Sequence, residues 1–579
     1  MTTTLIPSSQ LAPQFTLPQS LPSTVYLSHL LLGQERCVDA FNLMSKVKNQ
    51  HLYLADFASI DRELFIKALV GQTDTPSDSY LVATKSQNEN QDFSFRWQTE
   101  LPSANVGTIA NQNQLFSYVS GQIRRADLIG KMQKTEKSSQ YKPGILASNH
   151  FVFIDVESLW KREGLWEFVM QILEQGHYRI NSELAPIPLN CKIIFVGAVN
   201  LFTHLRSDDR VFFKYFPLLA EVNSELDLTK YSESQYLQWL VSLANEYNVE
   251  LELSSIMPLF WYSAKLTEHQ QRLSLSMLQI AQVMTQANSL KATKAVTASS
   301  ISKALVNAKN RHDSSEVYAA QSFSDNFINL QTTDEMIGQI NGLTVVDTQD
   351  ASYGEPARIT TTVHYGDGEV IDIERKSELG GNIHTKGMMI LSASLYRIFG
   401  RDAPLHLNAN IVFEQSYQEI DGDSASLAEY CCLMSSIAEQ PINQAFAVTG
   451  ALDQFGNVQA IGGVNEKIEG FFNLCKVRGL NGEHSVIIPK ANVLQLNLEP
   501  EVIEAISKGL FHVHAIEHMD EAISLLMQIS AGERNEDNDF PEKSLYGLVQ
   551  QRLEKMAGQD DDEIEPSFIQ KILIKLRII

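Results

Sequence analysis

Two residues 43 positions apart, Ser424 and Lys467, are the ones whose types and settings could do chemistry together. Ser424 lies in the run Asp421-Gly422-Asp423-Ser424-Ala425-Ser426. An apolar strand segment, Ile411 to Phe413, precedes this run, and Leu427, Ala428, Cys431 and Met434 follow it at helical spacing. The serine therefore stands where a glycine-bent loop meets a helix N-terminus. Backbone N–H groups there have no partner inside the helix, and the helix dipole favours negative charge, so an oxyanion could be held. A hydroxyl is a poor nucleophile until a base takes its proton. No histidine lies between His406 and His484, although a distant one could fold in. Lys467 offers another base. In IGGVNEKIEGFF two glycines precede a short helix with Ile468, Phe471, Phe472 and Cys475 on one apolar face. Desolvation beside such a seam lowers an amine's pKa, and the neutral amine can accept a proton. Taken singly, each motif also has a plain reading: DGDSAS as a turn with an N-cap, GG-x-x-x-K as a helix start.

The elements that must position these residues are legible on both sides. ARITTTVHY, a G-D-G turn at 366–368 and EVIDIER read as a hairpin. KGMMILSASLYRIFG reads as an amphipathic helix ended by Gly400. After Lys467 come the strands HSVIIPK and FHVHAI and the helix MDEAISLLMQI. His512 and His514 share a strand face with His518 nearby, but no carboxylate–histidine set of ligand spacing accompanies them; they read as strand-edge histidines and no metal is expected.

DGDSAS, then TGALDQFGNVQAIGGVNEKIEG, and upstream NGLTVVDTQDASYGEPARITTTVHYGDGEVIDIERKSELGGNIHTKGMMILSASL together resemble the proteolytic domain of Lon proteases. The likeness is to the branch without the large N-terminal domain; it covers residues 335–530 closely and the earlier part loosely. It implies a serine endopeptidase in which Ser424 is the nucleophile, Lys467 the general base and Thr449 the hydroxyl that holds the amine. Asp421 matches an acidic position beside the serine. A carboxylate near Lys467 would raise the amine's pKa and oppose base catalysis, so Asp421 reads as a supporting residue that positions the loop or holds an inactive state. The resemblance further implies unfolded or flexible protein substrates and a homo-oligomeric ring, most often six subunits, with sites facing an inner chamber.

The resulting architecture is multidomain α/β and α+β. Residues 1–25 read as a loose leader and 26–227 as a degenerate AAA+ α/β module. A polar insertion at about 72–139 reads as loops around short helices such as FSYVSGQIRRADLIG. Residues 228–320 resemble the helical lid, 321–334 a linker, 335–530 the Lon-type proteolytic domain, and 531–579 an acidic, helical extension with an apolar end. A working ATPase would follow the strand HLYLADF with a glycine-rich loop ending in Lys and Ser or Thr, whose amides cradle phosphates. Here DFASIDRELFIKAL has no glycine, and no G-x-x-x-x-G-K-[ST] occurs in the chain. Asp155 and Glu157, closing NHFVFIDVESLW, read as helix-initiating carboxylates; Asn200 as a relic of a nucleotide-sensing residue; Arg272 as an exposed helix arginine. No cofactor is expected, neither ATP nor magnesium.

The net charge of −23, from 69 acidic and 46 basic residues, argues against nucleic acid as a partner. Five cysteines without a C-x-x-C pair suit a reducing cytoplasm. No signal-like leader is visible, and NCKIIFVGAV is about half the length of a membrane span. Two other readings stay open: an ATP-dependent Lon-type protease with a divergent nucleotide site, and a non-catalytic Lon-fold adaptor or chaperone-like binder. Intact Ser424, Lys467 and Thr449 speak against the second.

Overall fold

The computed structural model describes residues 4–562 except 17, 75, 86–92, 103–107, 135–138, 183, 349–351, 402–403, 418 and 537–538. The chain forms two compact units: Phe15–Thr267 with Arg272–Ala304, and Met1–Gln14, Glu268–Gln271 and Leu305–Ile579.

In the first unit, α1 (Glu35–Lys46) leads to β1 (Leu52–Ala55) and α2 (Arg62–Val70). Then come β2 (Ser79–Lys85), β3 (Phe93–Gln98), β4 (Thr108–Gln112), β5 (Gln114–Val119), β6 (Asn149–Asp155), α3 (Val156–Trp160), α4 (Leu165–Gln175), β7 (Lys192–Gly197) and β8 (Leu218–Glu221). Five of these strands form a parallel sheet in the order β8-β1-β7-β6-β5. A parallel sheet carries helices on both faces, so its inner strands are apolar throughout; β1 is wholly buried and β7 nearly so. The helices α5 (Glu233–Glu246), α6 (Ile256–Thr267), α7 (Met277–Leu290) and α8 (Ala298–Lys309) follow.

The expectation of loops around short helices at 72–139 holds only in part: a short helix runs Arg125–Ile129, but most of the described stretch is strand. β2, β3 and β4 make a three-stranded antiparallel sheet, and FSYVSGQIRRADLIG begins as β5, an edge strand of the parallel sheet. Phe116 and Tyr118 alternate with polar residues there, a period-two signal hidden by the Asn, Gln and Ser around it.

The second unit contains α9 (Ser314–Ser324), β9 (Gln339–Asp347), β10 (Ser352–Tyr365), β11 (Val370–Asp372), α10 (Ile373–Lys376), α11 (Asn382–Phe399), β12 (Leu407–Glu414) and α12 (Ser426–Ala438). It continues with β13 (Phe446–Val448), α13 (Val464–Arg478), β14 (Ser485–Pro489), α14 (Pro500–Ser507), β15 (His512–Ile516), α15 (Met519–Met527) and α16 (Leu545–Asp562). Its seven-stranded mixed sheet runs β11-β12-β10-β9-β13-β14-β15. Successive side chains of a strand face opposite sides, and this divides the core. Val448 and Ile487 join Leu391 and Leu395 of α11, Leu427 to Met434 of α12 and Ile523 of α15 on one face. Ala447, Val486 and Ile488 join Ile468 and Phe471 of α13 and Val502 of α14 on the other.

Three further expectations change. ARITTTVHY and EVIDIER do not pair: β12 lies between them, antiparallel to β10 and parallel to β11, and Asp372 caps α10, which turns the chain away. The leader is anchored, because Ile6 N–H donates to Val513 O (2.9 Å), Ala515 N–H donates to Thr4 O (2.7 Å), and Ile6 and Leu11 are buried beside α13. An apolar segment here covers the open edge of β15. The stretch 321–334 holds the end of α9 and packs Phe323 and Leu330 on Leu474. In the C-terminal extension, α16 buries Leu545, Val549 and Leu553 in the same core as α12, whereas the apolar end, 563–579, lies outside the described residues.

Candidate active site

The two faces of the second unit's sheet meet at the C-terminal end of β13. Thr449 follows the last residue of that strand, with Ser424 arriving from the α12 side and Lys467 from the α13 side. The serine turn is stitched to this end by paired backbone bonds: Gly450 N–H to Ser424 O at 2.8 Å and Leu427 N–H to Gly450 O at 3.1 Å. Gly422 takes φ +123°, the left-handed half of the map that glycine enters freely, so the loop can fold back before the helix starts. Among the described residues no acceptor is paired with the Ser424 N–H.

Lys467 Nζ lies 2.8 Å from Ser424 Oγ and 3.3 Å from Thr449 Oγ1. The Thr449 hydroxyl donates its own proton to Ser424 O at 3.2 Å, so its oxygen is left to accept from the amine. A neutral amine held this way gives one N–H to Thr449 and turns its lone pair to the serine hydroxyl. Only 3% of Lys467 is exposed, and Thr449 is fully buried. Burial pulls the amine's pKa down to about 8, with Asp423 working in the opposite direction. That places a lysine within reach of its neutral form near physiological pH, and about a tenth of it carries no proton at pH 7.

The lysine helix sits this close because two glycines remove the side chains between it and the sheet. A Cβ on Gly354 of β10 would lie 1.9 Å from Glu466 O, and one on Gly470 of α13 would lie 2.2 Å from Gly354 O. Neither was singled out from sequence, although a lone glycine inside a strand pattern, as in SYGEPARI, signals close backbone approach.

Asp421 is not part of this trio. Its Oδ1 accepts from Ile383 N–H at 3.0 Å, His384 N–H at 3.4 Å and Gly422 N–H at 3.1 Å, tying the serine loop to the start of α11. The acid that faces Lys467 electrostatically is Asp423. The histidines have structural partners: His512 Nε2 contacts Gly482 O (3.0 Å), His514 Nδ1 contacts Thr4 Oγ1 (3.1 Å), and His518 caps α15. Among the described residues no group of three His, Cys, Asp or Glu is placed to hold a metal ion.

In the first unit, the loop from β1 to α2 occupies the place where a phosphate loop would be expected. Arg62, the first residue of α2, reaches Asp56 with Nε (2.5 Å) and Nη2 (3.1 Å), and Asp155 Oδ1 with Nη1 (2.7 Å). The other oxygen of Asp155 accepts from Ser158 N–H at 2.8 Å and caps α3. Arg62 was not singled out from sequence. Glu157 pairs with Lys161 (3.0 Å), Asn200 Oδ1 accepts from Leu201 N–H (2.8 Å), and Arg272, exposed as expected but on the short strand Arg272–Ser274 rather than a helix, pairs with Glu225 (3.2 Å).

Comparison with known proteins agrees with these two units. Residues 392–529 match the family described as "Lon protease (S16) C-terminal proteolytic domain". Residues 104–223 match "LonB-like, AAA domain", and 251–311 match "Archaeal LonB, AAA+ ATPase LID domain". The fold is thus an AAA-like module with a lid, followed by a Lon-type C-terminal domain. Among individual proteins, the chain is 33% identical over 436 residues to a Haemophilus influenzae protein named "Putative Lon protease homolog", spanning 73% of this chain and 72% of that one. An Escherichia coli protein of the same name is 32% identical over 431 residues, 70% of this chain and 72% of the relative. An "Archaeal Lon protease" from Methanocaldococcus jannaschii is 42% identical over 119 residues, 21% and 16% of the two chains. The chain belongs to the Lon protease family. No described helix is long and apolar enough to cross a membrane.

Proposed function

We propose that the chain is a serine endopeptidase that uses a Ser424–Lys467 dyad and acts without ATP-driven unfolding. The observation that carries this reading is the 2.8 Å approach of a buried, partly neutral amine to a half-buried hydroxyl, with Thr449 orienting the amine. In the reaction, Lys467 takes the proton of Ser424 Oγ as that oxygen attacks the peptide carbonyl. The Ser424 N–H and a neighbouring amide at the start of α12 stabilise the tetrahedral oxyanion. Lys467 then gives the proton to the departing amine, leaving an acyl-enzyme. Water, deprotonated by the same lysine, attacks the ester and restores the serine. Asp421 serves by holding the loop from α11.

The residues at the expected phosphate site do not fit a nucleotide. The segment from Asp56 to Asp61 has no glycine, and the guanidinium of Arg62 occupies the two acids that would otherwise face magnesium. No step is therefore routed through ATP. Unfolded or flexible chains are the substrates this reading allows. A six-subunit ring with an inner chamber is proposed from family membership, and a cytoplasmic location from five cysteines that are all free and buried.

Digestion of a reduced, alkylated protein tests both parts. Cleavage by the wild-type chain at equal rates with and without ATP and magnesium, and none by Ser424→Ala, is the expected result. Strong stimulation by ATP favours a divergent nucleotide site. Equal, negligible cleavage by both chains favours the non-catalytic binder.

A further inference from the structure

We propose that His384 is a positioning residue for the serine loop, the centre of a buried clasp with Asp372, Glu374 and Glu429 that holds the starts of α11 and α12 together. The functional part of this inference rests on the reading of Ser424 as nucleophile.

The clasp lies behind the loop and uses none of the dyad's atoms. His384 is the third residue of α11 and only 2% exposed; Glu429, at 1%, is on α12 five residues beyond Ser424. His384 Nε2 lies 3.2 Å from Asp372 Oδ2 and 3.9 Å from Glu429 Oε1. Among the described residues these three buried atoms make no hydrogen bond of good geometry, so they converge on one another with nothing else to satisfy them. The other two acids are fixed to the framework: Asp372 Oδ1 accepts from Glu374 N–H (3.0 Å), and Glu374 Oε1 from Phe413 N–H of β12 (3.1 Å). Phe413 also meets the imidazole edge-on, with ring centres 5.8 Å apart.

His384 and Glu429 both lead to the serine loop. The His384 N–H and its neighbour's hold Asp421, Gly381 N–H donates to Ile420 O (2.9 Å), and Ile420 N–H donates to Leu379 O (2.8 Å). On the other side, Glu429 N–H donates to Ala425 O (2.9 Å) in the turn that carries Ser424. Residues 420–425 are therefore gripped from α11 and α12 at once.

The charges facing the imidazole are Asp372 from β11, Glu374 from α10 and Glu429 from α12, with Glu414 of β12 acting on Glu374. Glu374 and Glu429, buried in this cluster, hold their protons more tightly than free carboxyls do. Burial raises Glu429 to about 7 against the pull of His384 and likewise raises Glu374. Burial alone would lower His384, but Asp372, Glu429 and Glu374 outweigh it and raise the imidazole. Opening the loop would release Glu429 to its ordinary range and expel a proton. Protection against opening thus falls as pH rises from about 5 to 7, by at most about tenfold per unit. The raised histidine extends the fall in the same direction above its ordinary pKa.

Hydrogen exchange of a peptide covering 419–427, expressed as protection factors between pH 5 and 9, tests the clasp in the full chain. The wild type should lose protection across this range. Glu429→Gln, a neutral isostere, should flatten the fall between pH 5 and 7. His384→Gln should lower protection about tenfold at pH 6, with β14 and β15 unchanged. Unchanged profiles in Glu429→Gln would overturn the clasp even if His384→Gln fails to fold. Acylation of Ser424 by a fluorophosphonate, measured in parallel, separates the two claims. A clasp-dependent profile without acylation removes only the peptidase reading, and acylation with profiles unaffected by either substitution removes only the clasp.

Discussion

Replacing Lys467 by Met should abolish activity and at the same time make the proteolytic unit more stable at neutral pH. The side chain is nearly all buried, and its pKa moves from 10.5 to about 8 because a charged amine is poorly solvated there. At 1.36 kcal/mol per unit, that shift means the charged lysine costs about 3 kcal/mol of folding free energy below pH 8. Methionine fills a similar volume without the charge. Losing the contacts to Ser424 and Thr449 returns about 1–2 kcal/mol, and Thr449 keeps its bond to Ser424 O. A net gain of about 1–2 kcal/mol is therefore expected at pH 7. The sign has a distinctive pH course. The wild type's lysine is depressed, so its penalty is fully present below pH 8 and fades toward 10.5, and the advantage of the variant should fade with it. All five tryptophans lie in the first unit, so fluorescence reports the wrong domain. Exchange of the slowest amides in β13 to β15 is the appropriate readout. A variant less stable than wild type at pH 7, or a difference that does not change between pH 7 and 10.5, would refute the reasoning.

Other outcomes follow from the same geometry. Thr449→Val, which removes the oxygen that accepts from the amine, should slow Ser424 acylation about 10- to 100-fold, while Thr449→Ser largely restores it. Gly354→Ala places a Cβ against Glu466 O and should displace α13, so acylation is lost and exchange in α13 rises; full activity would contradict the close-packing argument. Arg62→Met leaves Asp56 and Asp155 facing each other in a buried site and should destabilise the first unit by about 3 kcal/mol in urea, followed by tryptophan fluorescence. It should not confer binding of a labelled ATP analogue.

Ser424 and Lys467 were legible because their signals are local: a glycine turn before a helix for Ser424, and a GG start with an apolar face for Lys467. Their meeting was not local, since it depends on two helices packed on opposite faces of one sheet, and the family resemblance supplied it. His384 and Glu429 stayed hidden because each sits alone on its own helix, and only the fold brings them together with Asp372 and Glu374. Arg62 was hidden for the same reason, its partners being 6 residues before and 93 residues after it. The G-D-G turn was recognised, but a turn does not dictate which strand becomes the neighbour, and β12 inserts between β10 and β11. In the leader, Leu5, Ile6 and Leu11 were outweighed by surrounding Thr, Ser and Pro, although a few apolar residues suffice to cover a sheet edge.

The most direct test of the account is the rate at which a fluorophosphonate acylates Ser424 between pH 6 and 10, in the wild type and in Lys467→Met. With Lys467 as base, the wild-type rate should climb about tenfold per unit and level off near pH 8, while the variant stays slow throughout. Equal rates in the two proteins across that range, or labelling at a residue other than Ser424, would contradict it.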